Sequence, residues 1–300
     1  MVRLSTKTLK LLAGSSSGAN PLAVTASGAA MPAHLSNLTK CAETLNTSDG
    51  RQIDVWELYV PPTAGYLSTW ASNFRQHYCS DSEIDDLRAG TGLSRTNYLI
   101  QLVFPDKSAK PGPGIRAGDF AELLVSDYVE YVLGYWVPRG KYAEKSSRDE
   151  SVKGVDILGF RPTSSAGPSP TDTLLAFEVK AQLSGKKYTG RLQTAIDDSS
   201  KDYLRRAMTL NATKRRLRQA GQHEGALVVQ RFQNLSDNPY VYRSGAAAVL
   251  SDSAYDEALL QKTTKAAGHQ NAGNLELIVI RGTDLMKLVH ALYERAADEA

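Results

Sequence analysis

A carboxylate and an amine stand two residues apart in the run LLAFEVKA, Leu174 to Ala181. The run reads as a strand, and strand side chains alternate between faces. Leu175, Phe177 and Val179 then point one way, and Leu174, Ala176, Glu178 and Lys180 the other. Two charges thus share an otherwise apolar face, at a burial cost on the order of several kcal/mol each unless they are compensated. A cation and its substrate would supply that compensation. The preceding apolar run GVDILGF carries Asp156, which a hairpin pairing sets beside Glu178. Neighbouring carboxylates repel unless a proton or a metal intervenes. Oxygen ligands without His or Cys favour Mg²⁺ or Mn²⁺ over zinc. A third carboxylate comes from a helix predicted over about Gly118 to Leu133. There Asp119, Ser126, Asp127 and Glu130 gather on one side, whereas Glu122 shares a face with Val125, Val129 and Leu133. A metal held by Asp156, Glu178 and Glu122 would polarise a phosphate and acidify a bound water. Lys180 would orient that water or stabilise charge on the phosphate oxygens. The chemistry would be phosphodiester hydrolysis.

Each part has a plainer reading. A Glu-x-Lys triplet on a strand arises often by chance on a solvated face, and a lone helical Glu is commonly salt-bridged. The ordered series helix-Glu, strand-Asp, hairpin, strand-Glu-x-Lys, helix is far rarer than its parts. The region that follows is basic. Lys186, Lys187, Arg191, Lys201, Arg205, Arg206, Lys214, Arg215, Arg216 and Arg218 outnumber Asp197, Asp198 and Asp202. Lys186 and Lys187, with the helical pairs Arg205/Arg206 and Arg215/Arg216, form a candidate phosphate-contacting surface, the alternative being a solvated helix face. Tyr135, Trp136 and Tyr142 could stack on bases but read first as core. No GxxxxGK[ST] motif is present, so ATP hydrolysis is not expected of this chain.

The elements that must position these residues are mixed α/β. Strands are predicted at Ile53–Val60, Tyr98–Phe104, Gly154–Phe160, Thr173–Ala181, Ala226–Gln230, Ala246–Leu250 and Leu275–Ile280. Helices are predicted at Gly65–Tyr78, Gly118–Leu133, Arg191–Gln219 and Thr283–Ala297, the last capped near Gly282 or Thr283. Pro162 to Pro170 reads as a hairpin-type loop. Lys107 to Gly114, dense in Pro, Gly and Lys, is the best boundary. The expected organisation is an amino-terminal arm (residues 1–50), an α/β region with linker (51–114) and the main catalytic domain (115–300).

The chain has 300 residues and a net charge of +3, so the distribution of charge says more than its sum. Its apolar runs are too short to span a membrane. Cys41 and Cys79 match no zinc spacing and make no disulfide framework, which points to a reducing cytoplasm. The scattered histidines receive no role. Before Glu43 the chain is basic, acid-free and Ser-rich. That resembles a transit peptide in composition but fits a poorly ordered arm better.

The segments GDFAELL, VKGVDILGF and LLAFEVKA together resemble the PD-(D/E)xK, or restriction-endonuclease-like, nucleases. More narrowly they resemble the HamA family, nuclease subunits of the Hachiman antiphage system that work with a helicase subunit. The likeness is strongest from Asp119 to Ala181 and continues loosely through the final strand and helix. It implies a mixed central sheet flanked by helices, here with an amino-terminal α/β extension, and an Mg²⁺-dependent (or Mn²⁺-dependent) DNA nuclease partnered by a helicase in bacterial defence. Glu122, Asp156, Glu178 and Lys180 match the motif positions. Val155 stands where the superfamily commonly has Pro, and no QxxxY element involving Gln182 or Gln193 is evident. Two other readings stay open: a non-catalytic DNA-binding or scaffolding subunit, and a nuclease acting alone in repair or recombination.

Overall fold

The computed structural model describes residues 31–61 and 64–300. Most of the transit-peptide-like stretch and of the expected arm lies outside these residues. Residues 33–46 hold a 3-10 turn (Ala33–Asn37) and two short strands, β1 (Leu38–Lys40) and β2 (Leu45–Asn46). After β3 (Gln52–Leu58) come helices α1 (Ala64–Gln76), α2 (Ile84–Arg88), α3 (Arg95–Tyr98) and α4 (Gly112–Asp127). The strands β4 (Ile157–Arg161) and β5 (Thr173–Gln182) precede α5 (Arg191–Ser199), α6 (Asp202–Gln219) and α7 (His223–Arg231). The chain closes with β6 (Val241–Ser251), α8 (Glu257–Thr263), β7 (Leu275–Gly282) and α9 (Leu285–Asp298).

One mixed sheet runs in the order β1-β3-β7-β6-β5-β4, with β2 paired to β3. Its centre, β3-β7-β6-β5, is parallel, and the edges β1 and β4 are antiparallel. Parallel strands are covered on both faces and therefore read as near-continuous apolar runs, as in the AAAVL of β6 and the LLAF of β5. The alternation predicted for β5 holds. Leu175, Phe177 and Val179 pack with residues of α1, α4 and α9, while Leu174 and Ala176 pack with α6 and α7. Ala246 and Ala248 of β6 lie with Leu192, Ala195 and Ile196 of α5. The sheet is continuous across the predicted boundary at 107–114, because β3 pairs with β7.

Several elements differ from expectation. Tyr98–Phe104 is not a strand. Ser94 caps α3 by accepting from the Asn97 N–H, and a π-helical turn follows at Leu99–Val103. Ala226–Gln230 is part of helix α7, in which Ala226 and Val229, three residues apart, are buried while Leu227 is exposed. The long helix over 191–219 is interrupted between α5 and α6, and α4 begins inside the supposed linker. A second π-helical turn, Tyr128–Val132, replaces the last turn of the expected 118–133 helix. The acidic residues on α4 do not face water. Asp119, Ser126 and Asp127 are buried, with Asp119 paired to Lys145 and Asp127 to both His34 and Arg139. The residue before α9 is Asp284, in the left-handed region (φ 51°), and its side chain makes no capping hydrogen bond.

β5 and β6 meet closely where Phe177 pairs with Gly245. A Cβ at Gly245 would lie 2.2 Å from the Phe177 ring, so only glycine fits beside it. Gly245→Val should therefore destabilise the protein by about 3 kcal/mol through overpacking. Urea unfolding checks this, with Phe177→Leu in the same chain recovering part of the loss; full stability in the single variant would contradict the packing described.

Candidate active site

The antiparallel register pairs Ile157 with Phe177, so one residue further out Asp156 comes opposite Glu178. Asp156 Oδ2 accepts the Val179 N–H at 2.9 Å, which fixes its carboxylate beside β5. Glu178 is 2% exposed. The Lys180 ammonium sits 2.5 Å from Glu178 Oε1 and 3.0 Å from Asp198 Oδ2 of α5. The other Glu178 oxygen, Oε2, is 3.2 Å from Arg205 Nη2 of α6, which also bonds Asp202 Oδ1 at 2.6 Å and the Asp198 carbonyl at 3.0 Å.

Glu122 reaches the site from α4. Its Oε2 accepts from Tyr142 Oη at 2.8 Å and pairs with the Lys141 ammonium. That ammonium also donates to the Asp156 carbonyl oxygen at 2.6 Å. Lys141 and Tyr142 lie on a 3-10 turn, Lys141–Glu144, entered through Gly140 at φ +95°, a backbone region that favours glycine. Arg139 and Lys145, on either side, bind Asp127 and Asp119 of α4. The turn is thus strapped along the helix. Lys141 and Asp156 border a cleft of about 330 Å³, walled opposite by Met208, Thr209 and Arg216 of α6.

The electrostatics follow from these contacts. Burial, then the neighbouring Glu122 and Glu178 carboxylates, push the Asp156 carboxyl well above its ordinary range, against Lys141 and the Val179 N–H. Burial alone would lower Lys180, but Glu178, Asp156 and Asp198 outweigh it and hold the ammonium above its usual range. Lys141 is raised likewise, burial being outweighed by Glu122 and Asp156. Burial and then Glu178 raise Asp202 to about 7, with Arg205 opposing.

The structure therefore places Glu122, Asp156, Glu178 and Lys180 in one neighbourhood, with Asp156 close to both other carboxylates. Among the described residues, no group of three or more His, Cys, Asp or Glu side chains is arranged to grip a metal as it stands. The donor chemistry nonetheless fits a hard divalent ion: the acidic groups are all carboxylates, and Asp156 is driven to take up positive charge. The predicted basic residues separate. Lys186, Lys187 and Arg215 are exposed. Arg206 lies over the Tyr242 ring at 4.6 Å, and Arg216 pairs with Glu144 at 2.9 Å. Arg205 is turned into the site. Tyr135 and Tyr142 are buried, and Trp136 packs against Phe160. Lys141 and Asp202 are site residues that sequence reasoning passed over or counted only as charge, and Tyr142, read first as core, is buried but turns its hydroxyl to Glu122. Lys141 and Tyr142 sit in a polar segment with no periodicity, and nothing in the Asp202 neighbourhood marks it as inward.

Fold and site together define a mixed α/β protein with a carboxylate–lysine centre at the meeting of a hairpin and two helices. The profile of the HamA family matches residues 33–296. The chain belongs to the HamA family and is thereby associated with Hachiman defence. No curated protein matches the sequence. Among the described residues no helix is long and apolar enough to cross a membrane.

The Asp202 shift predicts a pH effect on stability. An unfolded Asp titrates near 3.8 and the folded one near 7. Below that window Asp202 is protonated in both states. Across it the folded state keeps a proton that the unfolded state has released, so stability falls as pH rises, by at most about 1.4 kcal/mol per pH unit. Above pH 7 the fall stops. Asp202→Asn lacks the group, so wild type should lose stability relative to the variant between pH 4 and 7. Chemical unfolding of both proteins across that range tests it; a pH-independent difference would remove Asp202 from the buried charge network.

Proposed function

We propose that the chain is a divalent-metal-dependent nuclease that hydrolyses DNA phosphodiester bonds. We place it as the effector subunit of an antiphage complex with a helicase, the partner that the family resemblance implies. The observation that carries the reading is the contact of Lys180 with Glu178 on β5, beside an Asp156 pinned to the Val179 N–H.

Asp156 and Glu178 would hold Mg²⁺ or Mn²⁺, with Glu122 as the third carboxylate of the neighbourhood. When bound, the ion supplies Lewis acidity to the phosphate and lowers the pKa of a water. The residues do the rest. Lys180 keeps its proton at neutral pH, so it acts as a hydrogen-bond donor that orients the attacking water and stabilises negative charge on a phosphate oxygen. Arg205 holds the second Glu178 oxygen, which fixes the carboxylate plane. Exposed Lys186, Lys187 and Arg215 are suited to backbone phosphates.

The direct test is cleavage of plasmid and single-stranded DNA with Mg²⁺, Mn²⁺ or EDTA. Glu178→Ala and Lys180→Met should each slow cleavage on the order of 10²–10³-fold, and EDTA should abolish it. Cleavage that survives in Glu178→Ala moves the chemistry elsewhere. If wild type cuts nothing, alone or with a cognate helicase, a DNA-binding or scaffolding subunit replaces this reading. Binding is predicted separately: replacing Lys186, Lys187 and Arg215 together by Ala should make the log–log salt dependence of duplex affinity shallower by about three. Fluorescence anisotropy measures that slope, and an unchanged slope puts the DNA path on another surface.

A further inference from the structure

Glu122 is committed to groups of its own chain. Tyr142 Oη donates to it at 2.8 Å and the Lys141 ammonium pairs with the same oxygen. Lys141 spends a further proton on the Asp156 carbonyl at 2.6 Å, and its Nζ lies 5.2 Å from the Tyr142 ring centroid. This lysine is built in: its side chain is 18% exposed, and its turn is fastened on both sides, by Arg139 to Asp127 of α4 and Glu130 of the π-helical turn after it, and by Lys145 to Asp119 of α4. Lys180 and Arg205 take one oxygen each of Glu178, but each keeps a second carboxylate, Asp198 or Asp202, if an ion takes Glu178; among the described residues Glu122 is the one carboxylate paired with Lys141. Hydrolases with two metal ions hold them about 3.5–4 Å apart between shared ligands. In this protein the side of Asp156 that faces Glu122 already carries an ammonium.

We propose that Lys141 is a resident cation of the active centre, which withholds Glu122 from metal ligation and limits the centre to one divalent ion, on Asp156 and Glu178. The proposal rests on the nuclease reading for the presence of that ion. Removing the ammonium leaves Glu122 and Asp156 adjacent and uncompensated, and a second ion is the remedy open to them.

Mn²⁺ binding by the full chain, counted by electron paramagnetic resonance, tests this without cleavage. Wild type and Lys141→Arg should bind one Mn²⁺ and Lys141→Met two. Glu178→Gln should lose the ion. Glu122→Gln, which does not depend on how well Lys141→Met folds, should keep one ion with a Kd within about threefold of wild type. Two ions in wild type, one ion of unchanged affinity in a folded Lys141→Met, or a tenfold or greater loss of affinity in Glu122→Gln would each overturn the role of Lys141 alone. No Mn²⁺ bound by wild type, or binding indifferent to Glu178→Gln, would overturn the metal-dependent reading along with it.

Discussion

Negative charge buried at the far end of β5 is what the surroundings of the site must accommodate. Glu178 is almost wholly enclosed, and Asp156 lies near two further carboxylates. Removing water from such groups is costly, and an unpaired one would take up a proton or destabilise the fold by about 3–5 kcal/mol. The balance comes from separate parts of the chain: Lys141 from the turn after Gly140, Lys180 from β5 itself and Arg205 from α6. Charge compensation therefore fixes how a turn, a strand and a helix sit relative to one another. The same rule repeats along α4, where Lys145 answers Asp119 and Arg139 answers Asp127, which is also hydrogen-bonded to His34.

The opposite face of β5 has another task. Leu175, Phe177 and Val179 carry no polar atom in their side chains and belong to a core shared with α1, α4 and α9. Phe177 fills the space that Gly245 leaves open. Tight packing on this side holds the backbone at Glu178 and Lys180 in one register, so the hydrogen bond from Val179 to Asp156 has a fixed donor. One strand thus presents a rigid apolar face and a charged face, and the rigidity of the first positions the second.

How much was legible beforehand depends on the range of the interaction. The faces of β5 follow from period-two alternation within LLAFEVKA, and Glu122 stands out from a short helical stripe; both signals lie within one element. Asp156 needed only an adjacent hairpin. Lys141 and Tyr142 gave no such signal, because their meaning depends on a turn folding back on a helix about twenty residues earlier. Asp202 and Arg205 stand in a helix crowded with charge, where no spacing separates inward from outward. Tyr98–Phe104 and Ala226–Gln230 are short apolar runs whose period is ambiguous, and helix capping and partial burial decided them. The place of β3 in the sheet rests on pairing with β7, more than two hundred residues away, a distance at which no local pattern speaks.

That last pairing bears on when the site can be assembled during the protein's own synthesis. β5 is complete once residue 182 has been made, but its parallel neighbour β6 runs to Ser251, and β3 waits for β7 at Leu275–Gly282. Parallel pairing across such separations is slow and cannot begin before the later strand has left the ribosome. The carboxylates are encoded well before the strands that hold them in place, so a growing polypeptide carries them without the frame that aligns them. For the DNA nuclease proposed above, the order of the strands leaves the centre unassembled until β7 has been made.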